Sequence, residues 1–184
     1  DYKMSHLTIA YLVACTIWIL FEVSFAIFHR SPNNKEDRGS LAFLWITIII
    51  STGLGNTISQ MGFGFYSIPV IISWIGLAMI PGGIIIRLVA MRALGKYFTV
   101  NVATSGDQKV IDTGIYKRIR HPAYLGSLIS FLGMAIALSN WISLCVIFAP
   151  VALAFMYRIK IEEKALINSL GQTYIEYMGR TGKF

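Results

Sequence analysis

Residues 41–86 read LAFLWITIIISTGLGNTISQMGFGFYSIPVIISWIGLAMIPGGIII, and not one of them is Asp, Glu, Lys or Arg. A bilayer crossing needs about 20 apolar residues, so this run is twice too long for a single span and reads as a hairpin of two. Its weak point is Gly62-Phe63-Gly64-Phe65-Tyr66, where glycine permits a turn and the aromatic rings suit a membrane interface. The second span carries Pro81-Gly82-Gly83. That triplet predicts a kinked or loosened helix, which either leaves room for a ligand or is ordinary membrane-helix irregularity.

Outward from this hairpin the same pattern recurs. Residues 123–157 are again uncharged and too long for one crossing. Divided at Ser139-Asn140-Trp141 they give two spans of about 16 residues, each somewhat short of a bilayer, so both helices are expected to continue into their charged flanks. The last one can pass Arg158 and run to Leu170 before Gly171, with residues 172–178 as a short surface helix. On the other side, residues 7–28 make one further crossing, interrupted only by Glu22. A lone carboxylate in a span costs a few kcal/mol unless it faces protein or water. Glu22 therefore either reaches the headgroups from near the span's end or serves a function inside. Residues 29–40 (HRSPNNKEDRGS) read as a loop, and residues 87–122 are the longest polar stretch, punctuated by Gly95, Gly106 and Gly114.

The chain thus reads as an all-α integral membrane protein with five transmembrane helices. With 55 % hydrophobic residues in 184, the apolar surface exceeds what a soluble core of that size can hide. An odd number of spans puts the loops 29–40 and 87–122 and the tail on one face, and with them every Lys and Arg except Lys3. By the positive-inside rule that face is cytoplasmic and the N-terminus lies opposite. The net charge of +7 is then explained by anionic lipid headgroups, and nucleic acid is not expected as a partner. Cys15 and Cys145 sit in apolar runs as inert residues, and His6, His29 and His121 are too scattered for a metal site. Asp1-Tyr2-Lys3 ahead of Met4 reads as a tag remnant, leaving residues 4–184 as a single domain. No cleavable signal peptide is expected, since the first apolar run is long enough to span and lacks a small-residue cleavage site.

Polar groups capable of chemistry converge on the charged face. Arg120, His121 and Tyr124 stand at the start of the fourth span, where Pro122 suits the first turn of a helix because its missing amide would be unpaired there anyway. Arg158, Glu162 and Glu163 follow the fifth span, and a tight hairpin of these spans brings the two sets side by side. Arg158 and Glu162 are four residues apart, so they share a helix face and would form an ordinary ion pair at a water-facing end if they had no further role. The adjacent Glu162 and Glu163 point to different faces.

Gly114-x-Tyr116, Arg120-His121-Pro122-Ala123-Tyr124-Leu125-Gly126, Glu162-Glu163-x-x-Leu166 and Gly171-x-x-Tyr174-x-x-Tyr177 together resemble the isoprenylcysteine carboxyl methyltransferases, in a short prokaryotic form. The resemblance covers residues 92–178, about half the chain. It implies S-adenosylmethionine as cofactor, bound in a cytoplasmic pocket formed by the loop 87–122 and the C-terminal helix. The cofactor residues it implies are Asn101, Gln108, Lys109, Val110, Ile111, Tyr116, His121, Pro122, Ala123, Tyr124 and Glu162. It further implies that Arg158 meets the substrate carboxylate, with Tyr124 beside it as the second catalytic residue. Asn101 stands where the family usually has glutamine, and Gln108 where it usually has histidine. The expected substrate is a lipidated cysteine or similar amphiphilic acid.

The residues are compatible with that chemistry. A carboxylate with a reference pKa of about 4 is already ionised at neutral pH, so methylating it needs alignment and exclusion of water and no general base. Arg158 can grip a carboxylate through two parallel N–H groups, Tyr124 can support a cation on its ring, and Glu162 can take an ammonium group. Three other readings stay open: a phospholipid N-methyltransferase with the same pocket, a sterol-type reductase, and a non-enzymatic lipid-binding protein.

Overall fold

A computed structural model describes residues 2–28, 38–62, 69–95 and 109–184. Most of the expected turn at 62–66 lies outside these residues, as do Asn101 and Gln108. Among the described residues the chain forms six helices: α1 (Tyr2–Phe28), α2 (Arg38–Gln60), α3 (Val70–Leu94), α4 (Pro122–Ala137), α5 (Trp141–Leu170) and α6 (Gln172–Arg180). A 3₁₀ turn at Gly114–Lys117 precedes α4.

Four stretches are long and apolar enough to cross a membrane: His6–Ile27 of α1, Gly39–Gln60 of α2, and the whole of α3 and α5. The fifth expected span, α4, is apolar but only 16 residues long, about 24 Å against a hydrocarbon layer of about 30 Å. It does not continue into its charged flank as the sequence predicts. Pro122 occupies its first turn, and the backbone ahead of it is drawn into pairing with the tail at Gly182. The extension of α5 does occur, to Leu170, and Gly171 ends it with φ +57°, a conformation that glycine adopts at little cost. The break between α4 and α5 falls where expected, because the Asn140 side chain accepts from the Ser143 N–H at 2.9 Å and caps α5.

Helices α3 and α4 pack most intimately, antiparallel and almost backbone to backbone. A Cβ on Gly83 would lie 2.2 Å from the Gly126 carbonyl oxygen, and one on Gly133 would lie 2.5 Å from that of Gly76. Close approach through small residues substitutes for the hydrophobic drive that a lipid solvent cannot supply. The Ser130 hydroxyl, donating to the Ile80 carbonyl at 2.9 Å, adds a cross-helix bond. The small residues after Pro81 therefore admit α4 at Gly83, and α3 continues as helix through the proline. A second close contact joins α2 to α5, where Ser143 donates to the Gly55 carbonyl at 2.7 Å. Trp18, Leu77, Ile80, Phe131, Val151 and Phe155 fill the centre.

The polar stretch begins later than the charges suggest. Because α3 runs to Leu94, Arg87 lies inside a helix and not in a loop beginning at residue 87. Its Nη2 donates to Glu22 Oε2 at 3.0 Å, and its Nη1 donates to the Ser127 hydroxyl. Glu22, only 5 % exposed, thus faces protein within the bundle and does not reach toward headgroups.

Candidate active site

The end of the bundle where α4 begins and α5 projects beyond the apolar run collects the functional groups. Pro122 at the first helical position starts α4, so Tyr124 comes within its first turn and faces α5. The Tyr124 hydroxyl donates to Glu162 Oε2 at 2.7 Å and accepts from Arg158 Nε at 3.0 Å. Arg158 and Glu162 are thereby linked through a phenol from the neighbouring helix. Arg158 is 1 % exposed, which excludes the reading of a water-facing ion pair. Its Nη1 donates to the Ser40 hydroxyl at 3.0 Å, so the first turn of α2 also contributes.

His121 supplies a second tier. Its ring stacks on Tyr124, with centroids 5.7 Å apart and planes 20° from parallel, and its Nε2 meets Glu163 Oε1 at 3.2 Å. The same oxygen accepts from Arg120 Nε at 3.1 Å, while Lys183 Nζ stands 3.5 Å from Glu163 Oε2. The adjacent carboxylates do point different ways: Glu162 toward Tyr124, and Glu163 toward the cationic groups beneath it.

Tyr116, in the 3₁₀ turn, is buried, and burial together with the nearby Glu162 carboxylate pushes its phenol above the ordinary range. From α6, the Tyr177 hydroxyl donates to the Tyr116 carbonyl at 2.7 Å, and burial pushes the Tyr177 phenol up to about 12, so it stays a neutral donor. Pro122 and Ala123 are buried in the same region, Val110 and Ile111 are half-buried on the approach to Thr113, and Lys109 is exposed.

The structure thus brings together Tyr116, His121, Pro122, Ala123, Tyr124, Arg158 and Glu162. Three features escape sequence reasoning. Ser40 ends a polar loop and carries no distinguishing neighbours. The tail at 181–184 has neither periodicity nor a recognisable pattern. The third is the Glu22–Arg87 pair, whose one signal is that each residue lies about two turns before the C-terminal end of its helix.

The donor set suits S-adenosylmethionine. Glu162 offers a half-buried carboxylate for an ammonium group, the stacked His121–Tyr124 pair an aromatic surface for a sulfonium, and Val110 and Ile111 apolar cover for a flat ring.

Several known proteins are similar in sequence to this chain. It is 36 % identical over 98 residues to the protein-S-isoprenylcysteine O-methyltransferase of Saccharomyces cerevisiae, covering 52 % of this chain and 41 % of that protein. Protein-S-isoprenylcysteine O-methyltransferase B of Arabidopsis thaliana is 36 % identical over 111 residues, 59 % of this chain and 56 % of that one. The Xenopus laevis protein-S-isoprenylcysteine O-methyltransferase is 30 % identical over 137 residues, 72 % and 44 % respectively. This chain spans about half the length of these curated relatives. Among solved structures, the eukaryotic intramembrane Ras methyltransferase ICMT (isoprenylcysteine carboxyl methyltransferase), without a monobody, superposes with a TM-score of 0.55 at 26 % identity, over 78 % of this chain and 49 % of that one. These relatives are eukaryotic and lend no support to the expectation of a prokaryotic form. The sequence pattern of one family matches residues 74–168, and the chain belongs to it: the isoprenylcysteine carboxyl methyltransferase (ICMT) family.

Proposed function

We propose that this chain is a membrane-embedded O-methyltransferase that uses S-adenosylmethionine to esterify the carboxylate of an isoprenylated cysteine or a similar lipidated acid. The observation that carries this reading is the link Arg158–Tyr124–Glu162, a cation and a carboxylate held by one phenol. Arg158 binds the acceptor carboxylate, which is ionised at neutral pH and attacks without a general base. Glu162 takes the ammonium group of the cofactor, and Tyr116, His121, Pro122, Ala123, Val110 and Ile111 line its site, with Lys109, Asn101 and Gln108 contributing from the sequence that precedes them. When bound, the cofactor would supply a methyl group on a sulfonium, whose neutral thioether is the leaving group of a direct displacement.

Tyr124 sets the spacing by bonding both Arg158 and Glu162, so that substrate and cofactor share one fixed frame. The burial of Arg158 strips water from its guanidinium, which strengthens its hold on an anion. That burial favours a carboxylate over the neutral amine of a phospholipid N-methyltransferase. The lipid tail enters sideways from the bilayer, and an apolar groove lined by Val23, Ala26 and Ile27 of α1 and Trp45 of α2 lies between these two helices. In the same proposal the protein crosses the membrane five times, with α4 as the short fourth crossing. The site then faces the cytoplasm together with every Lys and Arg except Lys3.

The test is an equilibrium titration of detergent-purified protein with S-adenosylhomocysteine, combined with turnover on farnesylcysteine. Glu162→Ala is expected to weaken product binding about tenfold or more. Arg158→Ala is expected to leave binding within about threefold and cut turnover about a hundredfold or more. No saturable binding by folded wild-type protein overturns the cofactor reading. Turnover on phosphatidylethanolamine with none on farnesylcysteine overturns the acceptor.

A further inference from the structure

The tail beyond α6 has a structural part that the reaction scheme above leaves unused. Thr181 to Phe184 lie parallel to residues 118–121, with one bridge pairing Ile119 and Gly182. The Gly182 N–H donates to the Arg118 carbonyl at 2.8 Å. In return the Gly182 carbonyl accepts from the Arg120 N–H at 2.9 Å, and the Lys183 carbonyl accepts from the His121 N–H at 3.2 Å. The segment just before a helix has N–H groups with no helical partner, and here the tail supplies the acceptors. Side chains tighten the contact. Besides Glu163, Arg120 reaches the Met178 carbonyl at 3.0 Å, the Thr181 hydroxyl at 3.4 Å and the Thr181 carbonyl, and Lys183 lies beside Glu163.

His121 is therefore held at two points by groups that the tail controls: its backbone N–H directly, and its ring through Glu163. The His121 side chain forms no hydrogen bond that caps α4. The ring in turn stacks on Tyr124, which bonds both Arg158 and Glu162.

We infer that residues 181–184 are a positioning segment of the site, clamping His121 and Glu163 so that the imidazole is presented against Tyr124, with Arg120 as the pivot between tail and helix. The tail touches neither substrate nor cofactor in this scheme and acts through His121. Its effect on cofactor affinity rests on the function proposed above; its hold on His121 does not.

Two variants test this: one ending after Arg180, and Gly182→Pro, which deletes the N–H donated to Arg118, fixes φ at that residue and adds a Cβ that would meet the Phe184 carbonyl oxygen at 3.0 Å. The first readout is the rate at which diethylpyrocarbonate modifies His121, followed by mass spectrometry with His6 as the internal reference. The second is the dissociation constant of S-adenosylhomocysteine, together with the KM for cofactor and for farnesylcysteine. His121 is expected to react about tenfold faster in the truncated form and product to bind about tenfold more weakly, with Gly182→Pro showing the same changes at smaller size. The cofactor KM is expected to rise while that for farnesylcysteine stays within about twofold, a split that general loosening of the fold would not produce. If the truncated protein does not fold, Gly182→Pro decides. If wild-type protein binds no S-adenosylhomocysteine, the proposed function falls and the His121 modification rate alone decides the role of the tail. A modification rate within about twofold of wild type in the folded variants overturns the inference.

Discussion

Glu22 and Glu163 are both buried carboxylates, and the protein holds them in opposite ways. Glu163 is met by Arg120 at 3.1 Å, His121 at 3.2 Å and Lys183 at 3.5 Å, and Arg120 is further bound to backbone carbonyls of the tail. Glu22 meets Arg87 at 3.0 Å, while its other oxygen and the Arg87 Nε are buried with no hydrogen-bond partner among the described residues. The difference follows from location. Inside a bundle of membrane helices the backbone N–H and carbonyl groups are largely engaged in helix bonds, so a charge there relies mainly on side chains. At the end of the bundle the chain leaves helical conformation, and free N–H and carbonyl groups become available. A saturated network can hold a site rigid; an unsaturated pair chiefly ties α1 to α3.

The comparison breaks most sharply at Arg87. Arg87→Leu strands the Glu22 carboxylate among apolar helices and is expected to cost about 3 to 5 kcal/mol, read as a lowered unfolding midpoint in detergent. Adding Glu22→Leu to it is expected to restore most of that loss, since an apolar pair of similar volume removes both charges. A double variant as unstable as the single one would mean that the pair does more than neutralise itself. Glu163→Ala comes next, at about 2 kcal/mol, because Arg120 keeps its backbone acceptors and Lys183 reaches water. Measured by the same melt, a loss equal to that of Arg87→Leu would erase the distinction between the two clusters. The smallest effect is expected at the surface pair of Arg180 and Asp112, 2.8 Å apart, with side chains 62 % and 45 % exposed. Arg180→Ala is expected to cost about 0.5 kcal/mol or less and to lose even that in high salt.

Much of the membrane arrangement was legible along the chain. The uncharged runs located the apolar helices, Pro122 the start of α4, Ser139-Asn140-Trp141 the break before α5, and Gly171 its end. The span count was less secure, because a run can be apolar throughout and still form a helix, such as α4, that is short of the bilayer. The grouping of His121 and Tyr124 with Arg158 and Glu162 followed from a hairpin with a short turn. Arg87 was misread because a charge at the edge of an apolar run looks the same whether it opens a loop or is neutralised inside.

What the sequence by itself determined is the set of segments that prefer lipid to water, and the helix starts and stops, because transfer free energy and capping depend on neighbours close along the chain. Only the tertiary structure decided that Gly83 accommodates Gly126, that Arg87 neutralises Glu22, and that a tail without any sequence pattern pairs with the backbone before α4. Each of these joins groups dozens of residues apart through contacts of about 3 Å, and local hydropathy carries no record of such distances.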